Sequence, residues 1–346
     1  MTLTAPAADV FVEEWGAAYG SPYLVADDGP YDVDDEAVPV EDGPDRILVH
    51  EPPAAWRERP AEALLAGGAR GLAFVDGVRR GEATLYLAGA DARGVAGAHG
   101  TGAVLVDGSG PPRIEQCRIA RVAIFGNGAE VTLPALAGGW AWESHTILDS
   151  GADAPLAALQ NRMRSAEGRL ADELARAGWQ VVVDGPLGFA HPAGLAVVGY
   201  VKTHHRALLA PGLHAQVPVI DGGQRTSLFA HRDRLSCYLR LSSRHGGGGP
   251  WGGIVRIEMP GGLDLDVARA AADRAAALLP RFAGVAHVDP RAPQNLQPVG
   301  ALERELRHRL GDAALAARAV RSAAATLRAR PASAGAAGGT DAGGRA

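Results

Sequence analysis

Apolar positions along this chain follow two different spacings. Residues 71–75 (Gly-Leu-Ala-Phe-Val) and 179–183 (Trp-Gln-Val-Val-Val) are short, nearly continuous apolar runs, the pattern of strands buried on both faces. Between them, Leu159, Met163, Ala166, Leu170 and Leu174 recur at steps of three and four, which predicts a helix over 156–177. Pro155 suits its start and Gly178 its end. Gly77 is placed to allow a tight turn after the first run. Residues 81–90, 102–107, 118–125 and 130–133 read as further strands of a meander. Later strands are expected at 195–201, 227–230, 235–242 and 253–259, the last two flanking a glycine loop at 246–249. Helices are expected at 265–279, 297–310 and 313–328. Near the start, 47–68 reads as a strand and a helix, and 10–15 (Val-Phe-Val-Glu-Glu-Trp) as a short helix packed on the body.

Composition divides the 346 residues into three parts. Residues 1–46 form an acidic segment. Asp27, Asp28, Asp32, Asp34, Asp35, Glu36, Glu41, Asp42 and Asp45 follow one another with no base between them, as in a solvated, partly disordered strip. The alternative is a mimic of nucleic acid or a dock for a basic partner. Residues 47–328 form the main domain, large enough for a full core. Residues 329–346 are an Ala/Gly-rich tail expected to be disordered. The net charge of -5 argues against a protein that coats nucleic acid without specificity, but not against an acidic metal site. Cys117 and Cys237 lack metal-ligand spacing and fit reduced thiols. No run of 18 apolar residues occurs, and no basic segment precedes an apolar one at the N-terminus. The expectation is a cytoplasmic protein away from membranes.

Acidic residues at the ends of these elements carry the chemistry. Each of the two apolar runs ends in Asp-Gly, at Asp76-Gly77 and Asp184-Gly185. Glu167 lies on the intervening helix, beside its apolar stripe. Carboxylates drawn from two strand ends and a helix are how a ribonuclease H-type fold gathers acid around divalent metal for phosphodiester cleavage. The expected class is α/β, a ribonuclease H-like mixed sheet with flanking helices.

Five motifs in order add a family resemblance. They are Phe-Val-Asp-Gly at 74–77, a helix carrying Arg164 and Glu167, Val-Val-Val-Asp-Gly-Pro-Leu at 181–187, Gly-Tyr-Val-Lys at 199–202, and Pro-Gln-Asn-Leu-Gln-Pro-Val-Gly-Ala-Leu-Glu at 293–303. Together, over roughly residues 71–312, the chain resembles the NurA family of nucleases, which work with a HerA-type hexameric ATPase in DNA end resection. The resemblance implies a homodimer that cleaves DNA with Mn2+ or Mg2+, as a 5′ to 3′ exonuclease and a single-strand endonuclease. It matches Asp76 to the first-strand aspartate, Glu167 to the helix glutamate and Asp184 to the later aspartate. The family closes its set with a histidine near a Pro-containing helix start. Here Glu303 stands at or near that place, with His308 five residues on. Three alternatives follow: Glu303 supplies an oxygen ligand, His308 does the histidine's work, or neither contributes.

In a two-cation mechanism Asp76 would bridge the ions, and Glu167 and Asp184 would each hold one. Lys202 would neutralise the phosphate or the departing oxyanion, and Arg79 and Arg80 would contact the DNA backbone. Other chemistries fit less well. His204 and His205, adjacent on a strand, point to opposite faces. Ser144, between Glu143 and His145, lacks a nucleophile elbow. The glycine run has no following Lys-Ser/Thr, so NTP hydrolysis would belong to a partner. The competing class is a catalytically weak dimeric adaptor that binds a ring ATPase or DNA ends, favoured by the acidic strip and the altered fourth ligand.

Overall fold

One continuous strand, far longer than the pattern predicts, organises the sheet. The computed structural model describes residues 10–12, 70–187, 197–204, 207–242, 249–289 and 291–329. The acidic strip at 27–45, the expected strand and helix at 47–68, most of the glycine loop and the tail after 329 lie outside these residues. After β1 (Val10–Val12), strands β2 (Leu72–Leu87), β3 (Ala92–Val106) and β4 (Arg113–Phe125) form an antiparallel meander, with β5 (Glu143–Thr146) parallel to β4. The chain then crosses through α1 (Ala154–Arg176) to β6 (Gln180–Asp184), which is parallel to β2. A parallel neighbour cannot be reached by a tight turn, so a crossover of this kind is required. β7 (Val197–Val201) pairs parallel with β6. Beyond α2 (Pro211–His214), strands β8 (Phe229–His231), β9 (Arg234–Arg240) and β10 (Ile254–Pro260) complete the sheet, β10 pairing with β7. The helices α3 (Leu265–Leu278), α4 (Gln297–Leu310) and α5 (Ala313–Ala329) follow. Across the sheet the order is β5-β4-β3-β2-β6-β7-β10-β9-β8, with β1 on the far half of β2. A meander whose first strand is flanked on its other side by two parallel strands is the ribonuclease H-like mixed sheet anticipated from the sequence.

Side chains alternate across a strand, and the core follows that rule. Leu72, Phe74 and Val78 of β2 pack with the helical layer of α3 and α4, including Ala271, Leu302 and Leu306. Ala73 and Val75 pack on the opposite face against Leu170 and Leu174 of α1. Each Asp-bearing strand is therefore covered on both sides, which explains the continuous apolar runs.

Three local expectations are corrected. Gly77 is no turn: β2 runs through it to Leu87. Residues 10–12 form a strand, not a helix, pairing Val10 with Leu87 and burying Val10 completely. A Val-Phe-Val triplet suits a half-buried pleated edge. Residues 130–133 are irregular, although Val131 and Leu133 still bury into the cluster beneath α5. Among the described residues, no helix is long and apolar enough to cross a membrane.

Candidate metal centre

Strand register brings the two aspartates together. β2 and β6 pair Leu72 with Gln180 through to Val75 with Val183, so one step further Asp76 stands beside Asp184 on the same face. β6 and β7 pair Asp184 with Tyr200, and Lys202 projects two residues later on that face again. The segment entering α4 lies across it. The Tyr200 hydroxyl donates to the Gln294 carbonyl at 2.6 Å, and Asn295 is buried. Within α4 the stripe Val299, Leu302, Leu306 and Leu310 faces the sheet, and Glu303, one turn after Val299, sits at its margin. Close approach of α4 needs a bare strand beneath it: a Cβ on Gly102 would meet Leu302 Cδ1 at 3.0 Å. The outcome is that one carboxylate oxygen each from Asp76, Asp184 and Glu303 lies within 4.8 Å of the others.

These charges are poorly compensated. Asp76 is 6% exposed, and burial, then Asp184, Glu167 and Glu303, hold its carboxyl well above the usual carboxylate range. Asp76 Oδ2 and Asp184 Oδ1 are buried without a hydrogen-bond partner among the described residues. Asp184 Oδ2 accepts from Lys202 Nζ at 2.6 Å, and Nζ also donates to Asn295 Oδ1 at 3.1 Å. Asn295 in turn donates to Asp289. Burial opposes the Lys202 charge, but Asp184 beside it more than offsets that and raises its pKa. Arg291 and Arg307 reach Glu303 only at 3.7 and 3.9 Å. An all-oxygen donor set with orphaned oxygens fits a hard cation such as Mg2+ or Mn2+.

Glu167 approaches from the other side. It is 6% exposed on α1, and the Gly77 amide donates to it. A Cβ at Gly77 would stand 2.7 Å from Glu167 Oε1 and 2.9 Å from Met163 Cγ, so the glycine is a seat for this carboxyl. Burial lifts the Glu167 pKa to about 8; Arg164 opposes the rise, Asp184 adds to it and the Gly77 amide opposes it. Its carboxyl lies outside the group of three. Glu303 is in that group, and His308, exposed on α4, is not.

Arg79 and Arg80, expected to contact the DNA backbone, face opposite sides of β2. Arg79 bonds Gln160 on α1. Arg80 donates to the Gly311 and Leu310 carbonyls at the end of α4 and to Glu82. Two features escaped the sequence reading. Asn295 lay unremarked inside the motif at 293–303. The turn after Asp184 is also clamped: the Leu187 amide donates to Glu258 Oε2 at 3.2 Å, and Arg234 donates to the Leu187 carbonyl. This turn crosses Gly199, where a Cβ would meet Leu187 Cγ at 2.9 Å. A lone glycine inside an apolar strand was the available signal for that close approach.

No family model matches the chain, and no curated protein does. Among solved structures, the NurA nuclease from Sulfolobus solfataricus is similar to this chain. The match covers 74% of this chain and 84% of that one, with 11% identity and a TM-score of 0.42.

Proposed function

We propose that this chain is a divalent-metal-dependent nuclease that hydrolyses phosphodiester bonds in DNA. The group formed by Asp76, Asp184 and Glu303, within 4.8 Å and with two buried oxygens unpartnered, carries this reading. Like charges that close disfavour ionisation and weaken the fold unless a cation joins them. An adaptor has no use for that cost. Asp76, Asp184 and Glu303 would hold the ion, which when bound would polarise a phosphoryl oxygen and acidify water. Lys202, anchored by Asp184 and Asn295, offers a fixed positive charge to a phosphoryl or departing oxygen. Burial lifts the Glu167 carboxyl pKa to about 8 in the metal-free chain, which lessens the negative charge beside the group of three before an ion binds. Action on DNA ends as a homodimer with a HerA-type ATPase, in the cytoplasm, with 5′ to 3′ exonuclease and single-strand endonuclease activity, completes the reading and follows from the motif resemblance.

The test is cleavage of end-labelled single- and double-stranded DNA with Mn2+, Mg2+ or EDTA, comparing the wild type with Asp76→Ala. Metal-dependent cutting that disappears in the variant is the expected result. An absence of cutting in any metal, with and without the cognate ATPase, would overturn the proposal.

A further inference from the structure

Lys202 is the sole lysine among the 34 Lys and Arg residues of the chain. It lies beside the group of three carboxylates found among the described residues, with its Nζ on Asp184. We propose that its ammonium permanently occupies the position of a second cation, so that the centre takes one divalent ion and not two. This rests on the metal-dependent reading above.

Four observations support it. First, a two-ion centre needs a bridging carboxylate and separate ligands for each ion. Among the described residues three carboxylates share the group, and the fourth candidate, Glu167, reaches in from the α1 side and accepts from the Gly77 amide. Second, Asp184 is already divided. Its Oδ2 holds Lys202 Nζ at 2.6 Å, while its Oδ1 is buried and unpartnered. One oxygen thus serves the ammonium and the other is left for an ion. Third, the ammonium is built in. Asn295, 2% exposed, accepts from Nζ and is itself held by Asp289, so the lysine is fixed from both sides. Fourth, the side-chain type suits the task. An ammonium is a compact point charge, whereas a guanidinium is a broad planar fork. The chain uses arginine for every other such base. Three carboxylates facing one ammonium leave room for one divalent ion before the charges cancel.

The experiment is a Mn2+ titration of the full chain without DNA, read by calorimetry and by the free-Mn2+ paramagnetic resonance signal. Wild type, Lys202→Met and Lys202→Arg are compared after circular dichroism has checked their folding, with Lys202→Gln replacing Lys202→Met if the latter does not fold. The expected result is one ion on wild type and on Lys202→Arg, and a second ion on the neutral variant. Two ions on wild type would overturn the inference without any variant. One ion on both wild type and a folded neutral variant would overturn it too, while leaving the nuclease reading intact. No ion on wild type would end both.

Discussion

Glu167→Gln tests the electrostatic account of the site most directly. Burial raises the Glu167 pKa from 4.5 to about 8 in the folded chain. Below pH 4.5 the residue is protonated, folded or unfolded, and its contribution is fully present. As pH rises, the unfolded chain releases the proton first and the folded chain retains it until about pH 8. Stability is therefore lost progressively across that window, and the loss is complete above it. A rise of this size corresponds to about 5 kcal/mol at most, an upper limit because water and local relaxation reach a carboxylate forced to ionise. Glutamine keeps the shape and can still accept from the Gly77 amide of β2, but it cannot ionise. Asp76, raised in the same direction, still titrates in the variant, so the pH dependence shrinks without vanishing. The assay is urea unfolding in EDTA from pH 5 to pH 9. Wild type should lose several kcal/mol of stability over that range, and Glu167→Gln markedly less, ending more stable than wild type at pH 9. Parallel stability curves for the two proteins would refute the argument.

Gly77→Ala should cost about 1–3 kcal/mol by overpacking, because the added methyl meets Glu167 and Met163. Gly89→Ala, with nothing within 4 Å, is the control and should stay near neutral in the same unfolding assay. Arg80→Ala should destabilise by about 3 kcal/mol, since it strips the carbonyls at the end of α4 and leaves the buried Glu82 carboxylate without its cation. Its effect on the salt dependence of DNA affinity should be absent, whereas loss of a phosphate contact would lower that slope by about one.

The parts of this fold that were legible in sequence are those fixed by local periodicity. The helix around Glu167 follows from apolar steps of three and four bounded by Pro and Gly, and it and the helix at Gln297–Leu310 appear nearly where expected. The break expected at Asp76-Gly77 fails because Asp-Gly signals a turn only in isolation. Here a neighbouring helix needs the missing Cβ, and the strand continues beneath it. Arg79 and Arg80 are neighbours in sequence, but strand alternation sends one to each face of the sheet. The acidic centre was half legible for the same reason. Asp76 and Asp184 each end an apolar run, but their meeting is a consequence of parallel register, which no local pattern encodes. Glu303 is further removed, since it reaches them only because Gly102 lets α4 settle on the sheet. That chain of dependence makes the glycines as decisive for the centre as the acids: a side chain at Gly77 displaces Glu167, and one at Gly102 lifts the helix that carries Glu303.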